Sequence, residues 1–315
     1  MTSSDVFIKK PSVGDWGQEP EKRAIKELIS NGMVNLDKPK GPTSHQVSDY
    51  VQKILGIEKA GHSGTLDPQV TGVQPLGLGK STRITEFLLT APKEYVGVMH
   101  LHKEVEKEEL QKTIEKFIGK IQQLPPIKSA VKRELRTREI YEFEILEIKE
   151  KEILFRVKCQ AGTYIRKLCH DLGQELGVGA NMAELRRIRA GPFGEEENLV
   201  TLQDLQDAFY LYEKEGKEEF LHYCLQPVET ALKYIPKCWV LDTALLSISH
   251  GRDLSIPGVS KLENFRKGEV VAVMSLKGEL IAIGEAVMSA VEINTQAKGM
   301  AVKVKKVFRE VEESS

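Results

Sequence analysis

Within Gly61–Lys80, GHSGTLDPQVTGVQPLGLGK, His62 and Asp67 stand five residues apart among glycines, prolines and hydroxyl residues. Regular structure would not choose that composition. Pro68 biases Asp67 toward extended backbone. Gly64 and Gly72 permit turns that a residue with a Cβ resists. A carboxylate fixed on such a loop is a candidate nucleophile or general base. The same pattern also suits an aspartate that shapes an Asx turn or caps a neighbouring element. A second charged set lies in Ala161–Lys167, AGTYIRK, which opens a predicted helix. Arg166 and Lys167 in its first turn oppose the helix dipole, so an anionic partner is expected there.

These residues need elements to hold them. Gly32–Asp37 reads as a buried strand running into Lys38 and Pro39. Thr43 with Gln46 has the spacing of a capping box. Val47, Tyr50, Val51, Ile54 and Leu55 behind it form the core-facing stripe of a helix, with His45 on the solvent side. Ser81 is expected to open an amphipathic helix after the apolar segment Val73–Leu78. Lys93–His102 reads as a strand with Tyr95 near its start. His100 and His102 would share one face of it, a spacing that suits a metal pair, but no third ligand is spaced to join them. Leu110, Ile114, Phe117 and Ile118 mark a surface helix. Tyr141, Phe143 and Ile145, then Ile153, Phe155, Val157 and Cys159, alternate as an antiparallel hairpin with one buried face.

From Pro236 short β-rich segments separated by glycines suggest a small barrel of roughly 75 residues. Antiparallel stretches without a βαβ rhythm place the chain in the α+β class. The expected division is an extended arm over residues 1–18 packing on the barrel, a large mixed, mainly antiparallel domain over 19–235, and the barrel over 236–311.

The 315 residues carry a net charge of −1, yet the charge is segregated. Lys128–Arg138 is basic apart from Glu134, and Arg156–Lys167 and Lys303–Arg309 hold no acid. Glu104–Glu109 and Glu195–Glu197 hold much of the counterweight. Such a pattern lets one face meet phosphates while the whole stays near neutral. No apolar run approaches the ~20 residues of a membrane span, and the first residues lack the apolar core of a signal peptide. Cys159, Cys169, Cys224 and Cys238 show no C-x-x-C spacing. They read as reduced, buried thiols of a cytoplasmic protein with no zinc site.

The longer string Gly61-His62-x-Gly64-Thr65-Leu66-Asp67-Pro68, with Thr71-Gly72-Val73 and Pro75-Leu76, resembles the catalytic motif of the TruB family of pseudouridine synthases. Asn35–Pro39 with Gly41–Ser44, Lys93-Glu94-Tyr95, and Gly162–Arg166 are similar to further family motifs, in the family's order. The resemblance implies that Asp67 is the catalytic carboxylate and Arg166 its partner. It implies that Tyr95 stacks on the target base, that Leu185 and Tyr164 lie against it, and that His62 and Lys38 contact substrate. Ser63 stands where a glycine is also common, and Gln74 replaces a more usual apolar residue.

His250-Gly251-Arg252-Asp253-Leu254 followed by Pro257-Gly258 resembles the signature of the PUA domain, an RNA-binding barrel. It marks His250, Gly251 and Arg252 as RNA contacts, beside the basic strand bearing Lys303, Lys305 and Lys306. The Thr-Asp-Thr insertion of bacterial stand-alone members is missing after the Tyr95 strand. Leu124–Arg138, LPPIKSAVKRELRTR, instead looks like the archaeal and eukaryotic dyskerin branch, with the archaeal type the better fit. Lys132, Arg133, Arg136 and Arg138 in that stretch are expected to meet RNA.

The resemblance thus implies isomerisation of uridine to pseudouridine in rRNA or tRNA, without metal or organic cofactor. The implied setting is an H/ACA particle: a guide RNA, a substrate RNA, small accessory proteins of Nop and Gar type, a kink-turn binder, and no membrane. Two other readings stand beside it. One is a stand-alone synthase acting on the tRNA T-loop uridine without a guide. The other is a non-catalytic RNA scaffold, against which the set Asp67, Tyr95 and Arg166 argues.

Overall fold

The computed structural model describes residues 6–125 and 133–311. They form two compact units, one of Val34–Leu76 with Ile84–Cys224, the other of Met1–Met33, Gly77–Arg83 and Leu225–Ser315.

The first unit is built on a mixed sheet. Its central path runs Met33–Lys38, Thr71–Leu78, Ala180–Ala190, Lys93–Leu101, Glu152–Cys159, Arg136–Lys149, Gly119–Gln123. Thr71–Leu78 pairs in parallel with Ala180–Ala190, and the pairs from there to Gly119–Gln123 are antiparallel. The helices Lys107–Glu115 and Ile165–Glu175 contribute Leu110, Ile114, Leu168 and Leu172 to a core completed by Met99, Phe143, Phe155 and Val157 from the strands.

Several predicted elements differ in detail. The helix Ser44–Leu55 has the predicted capping box at Thr43, but Tyr50 is exposed, because the stripe centred on Val47 and Val51 already fills the contact. Tyr141 also faces out. A register shift between Ile140 and Glu142 turns Ile140 and Phe143 inward together. Ser81 lies inside a 3-10 turn, Gly79–Ile84, and the α-helix behind it covers only Thr85–Leu89. The surface helix ends at Glu115, ahead of Phe117 and the exposed Ile118.

The second unit carries a sheet in the order Val6–Ile8, Val259–Glu263, Lys237–Val240, Val270–Met274, Leu280–Ala286, Met300–Val307, Leu254–Ser255. Val240, Leu262, Val271, Val273, Ile281 and Val302 meet in its core. Two short helices that alternation did not suggest, Asp242–Ser249 and Ala290–Thr295, add Leu245, Ile248 and Ile293 to it.

The arm joins this unit edge-on. Val6–Ile8 pairs antiparallel with Val259–Glu263, and Phe7 and Trp16 pack on the core. The Asp242 carboxylate accepts from the backbone N–H groups of Asp15 and Trp16 at 2.7 and 3.2 Å. Residues 20–33, 77–83 and 225–235 also gather here, whereas the sequence-based division assigns them to the large domain. A buried ionic network ties 20–33 and 225–235 to this unit. Arg23 donates to both oxygens of Glu229 at 2.7 and 2.8 Å and to the fully buried Glu279 at 3.3 Å. Arg309 closes the set through Glu27, at 2.8 Å, and Glu279.

Candidate active site

Asp67 sits on a loop fixed from both sides. Lys38, at the end of its strand, is fully buried, and its Nζ donates to the carbonyls of Pro39, Pro68 and Val70 at 2.9, 3.2 and 2.9 Å. Burial lowers the Lys38 pKa first, Asp67 opposes that, and the Arg187 charge adds to it. Lys38 is therefore a clamp beneath the loop. Its three N–H bonds all face backbone carbonyls of this loop.

On the other flank the Ser44 hydroxyl, in the first turn of its helix, accepts from the N–H of Leu66 at 2.9 Å. It also donates to the Gln74 amide oxygen at 2.8 Å. The polar residue at 74 is thus the partner that a buried serine requires.

Arg166 reaches this loop from the first turn of Ile165–Glu175. Its Nη2 lies 2.6 Å from Asp67 Oδ2. The pair is open to solvent, with side chains 58% and 54% exposed. Tyr164 occupies the position before the helix, and the Gln123 side chain holds its backbone on both sides, at 3.0 and 3.1 Å. That fixes where the helix starts, and so where Arg166 projects.

Tyr95 lies opposite Val157 on one neighbouring strand and Arg187 on the other, while Leu185 lies opposite Gly97. Tyr95, Leu185 and Arg187 therefore share one sheet face. Gly97 is required there, because a Cβ would lie 2.8 Å from the Phe155 ring and 2.9 Å from Leu185. Burial pushes the Tyr95 hydroxyl to about 12, with Arg187 pulling the other way. The hydroxyl is a neutral group at physiological pH. His62 stands edge-on to His45 with ring centroids 4.9 Å apart, and its Nδ1 is buried without a partner.

Sequence reasoning did not single out the buried cations Arg187 and Lys93 beside this site. Lys93 is buried, donates to the carbonyls of Leu88, Leu89 and Ala91, and is pushed down to about 8 by burial and then by Arg187. Arg187 is 1% exposed. The signal for it was available: Leu185 was expected against the base, and two residues further along a strand is the same face.

Of the expected RNA contacts in this unit, Arg133 is exposed and Arg136 starts its strand opposite Gln123. Arg138 packs its guanidinium against Gly162, at the approach to the Arg166 helix. Lys132 falls outside the described residues. In the second unit His250, Gly251 and Arg252 form an exposed turn after Asp242–Ser249, with Gly251 at φ +81. Lys303 is exposed, Lys305 lies 3.3 Å from Glu285, and Lys306 pairs in register with Ile283. His100 and His102 are engaged with Glu152 and Asn181 at 2.6 and 3.1 Å. Among the described residues no group of three or more His, Cys, Asp or Glu is placed to hold a metal ion. None of their helices is long and apolar enough to cross a membrane.

Residues 52–165 match the model of the TruB family pseudouridylate synthase N-terminal domain, and 166–233 that of the tRNA pseudouridylate synthase B C-terminal domain. Residues 236–308 match the PUA domain and 9–48 the DKCLD (NUC011) domain. A protein of Pyrococcus furiosus named "Probable tRNA pseudouridine synthase B" is 51% identical over 308 residues, which is 96% of this chain and 91% of that one. This chain belongs to the TruB family of pseudouridine synthases. The synthase is 52% identical to a protein of the same name from Methanothermobacter thermautotrophicus, over 94% of this chain and 91% of that one. A chain in the crystal structure of a Cbf5-Nop10-Gar1 complex superposes on it with a TM-score of 0.93 at 49% identity, covering 98% of this chain and 95% of that one. A chain in an H/ACA RNP bound to a substrate RNA containing 2'-deoxyuridine gives 0.92 at 47%, with coverage of 98% and 95%. The fold is thus a mixed α+β synthase domain with a PUA domain.

Proposed function

We propose that this synthase is the catalytic subunit of an H/ACA guide ribonucleoprotein and converts uridine to pseudouridine in rRNA or tRNA, with Asp67 as the reacting carboxylate. The observation that carries the chemistry is the 2.6 Å pair between Arg166 and Asp67 on a loop clamped by Lys38 and Ser44. The reaction breaks the bond from the sugar C1′ to N1 of the base, turns the base, and joins C1′ to C5. The proton on C5 is lost and N1 gains one, so the change is isomerisation without redox. An ionised carboxylate oxygen can attack as a nucleophile or take a proton. Arg166 engages Oδ2, which orients the group and lets Oδ1 face the sugar. The base must leave the stack, at a cost of a few kcal/mol, and stacking on Tyr95 returns about 1–3 kcal/mol.

The implied partners are a guide RNA, the substrate RNA, a kink-turn binder, and accessory proteins like the Nop10 and Gar1 of the matched complex. In this reading residues 19–235 carry the chemistry, and the PUA domain over 236–311, with the arm along it, anchors the guide. The proposed place of action is the cytoplasm, in keeping with four cysteines that are all free and buried. The relatives' name, tRNA pseudouridine synthase B, favours a second reading, guide-free action on tRNA.

Both readings meet one experiment: purified protein with a uridine-containing RNA, with and without a matching H/ACA guide, beside naked tRNA. The guide reading expects modification only with the guide, and equal turnover of naked tRNA would replace it with the second. Asp67→Asn should lose pseudouridine formation by several orders of magnitude while melting and RNA affinity hold. Near-wild-type turnover in that variant would remove Asp67 from the chemistry.

A further inference from the structure

Among the described residues Arg187 is the largest side chain buried almost completely. Its strand neighbour Arg186 points the other way and is satisfied by Asp37, through two bonds of 2.9 and 2.8 Å, and by Glu195. Arg187 has a different set of partners. Its Nε donates to the carbonyl of Val73 at 2.7 Å and an Nη reaches the carbonyl of Gly64 at 3.4 Å. Tyr95 is its partner in register on the neighbouring strand, on the same sheet face. Among the described residues, carbonyls and a neutral phenol surround it and do not neutralise it. The cation depresses His62, Lys38 and Lys93 around it, and burial depresses its own pKa.

A buried cation without a carboxylate is costly, and a clamp made of neutral side chains would avoid the cost. Its three partners explain the placement. Gly64 and Val73 flank the loop that carries Asp67, and Tyr95 is the ring on which the base stacks. We infer that Arg187 is a positioning residue for the reaction, holding both flanks of the Asp67 loop in one fixed arrangement against its cross-strand neighbour Tyr95. This rests on the proposed roles of Asp67 and Tyr95. Glutamine at 187 would free both loop flanks together and loosen the side chain packed beside Tyr95. A 1 Å misplacement in such a site costs about 10²-fold in rate.

The test uses the protein assembled with guide RNA and accessory proteins, and follows single-turnover rate, substrate RNA affinity and thermal melting. The variants are Arg187→Gln, Arg187→Lys, Tyr95→Phe, the double variant Arg187→Gln with Tyr95→Phe, and Asp67→Asn. Arg187→Gln should slow the reaction about 10–100-fold with RNA affinity held within about two-fold. The double variant should be little slower than the slower single one, because both remove the same contact. A rate within two-fold of wild type, or losses that multiply in the double variant, would overturn the inference. A general packing role would lower melting and activity but would not produce that coupling to the phenol. If Arg187→Gln does not fold, Arg187→Lys decides. Lysine keeps the charge but lacks the fork that reaches Val73 and Gly64 at once. A folded Arg187→Lys protein should be slowed several-fold at unchanged RNA affinity, and a wild-type rate refutes the role. Failure of the parent reading looks different: wild type forms no pseudouridine, or Asp67→Asn forms it normally.

Discussion

His62 has a buried, unpartnered Nδ1 beside the Asp67 loop, and its pKa is pushed from 6.5 to about 4, by burial first, then by His45 and Arg187. Between those values the unfolded chain binds a proton there that the folded chain does not. Stability therefore falls as pH drops through that window and levels off below about 4. Other groups titrate in the same range, so the readout is a difference between proteins. His62→Gln should lose less stability than wild type between pH 7 and pH 4 in urea denaturation. Equal losses would mean that folding does not depress His62. At this scale sequence served well where a motif is written in consecutive residues: Leu66-Asp67-Pro68 and Tyr164-Ile165-Arg166 were singled out, and the fold brings Asp67 and Arg166 together at 2.6 Å. The burial of Lys38 and Arg187 was not legible, because a basic residue is ordinarily exposed. Three carbonyls around Lys38 and two around Arg187 show how they are held inside.

The strand Thr71–Leu78 ties the Asp67 loop to the sheet, and Gly72 is its tightest point. It has φ +104, and a Cβ there would overlap the carbonyl oxygen of Arg187 on the parallel neighbour. Gly72→Ala should cost about 2–4 kcal/mol, since backbone, not a flexible side chain, must move. Gly216 is the control. Its φ is +67 but its Cβ would enter open space, so Gly216→Ala should cost only about 1–2 kcal/mol. Chemical denaturation of both checks the order, and equal costs would mean that the close approach relaxes freely. Elements with a local signature were legible, as the capping box and stripe of Ser44–Leu55 show. Tyr141 was not, because a bulge in the pairing breaks alternation without a mark in the strand itself. Nor were the short helices Asp242–Ser249 and Ala290–Thr295, which are held by the core beneath them and are too brief for a periodic pattern.

At the scale of the whole molecule, net charge says little and its distribution says more. The small barrel was legible from its glycine-separated strands, and its PUA character from the resemblance of His250–Leu254 with Pro257-Gly258. The segments that join it were not, because the Arg23, Glu229, Glu279 and Arg309 network connects residues more than 200 positions apart. In the proposed division of labour this domain grips the guide, using the exposed turn His250–Arg252 and the basic strand Met300–Val307. Lys303 is exposed, and Lys305 has only a surface pair with Glu285, which costs little to break when a phosphate arrives. Arg252→Ala with Lys303→Ala and Lys305→Ala should weaken guide affinity about ten-fold or more. It should also flatten the slope of log affinity against log salt by about 0.7 per lost phosphate contact. These side chains lie at the surface, so melting should be unchanged. The discriminating measurement is turnover at saturating guide, where activity should return to near wild type because Asp67 and Arg166 are untouched. Unchanged guide affinity with collapsed turnover would show that this surface serves the substrate or the chemistry instead.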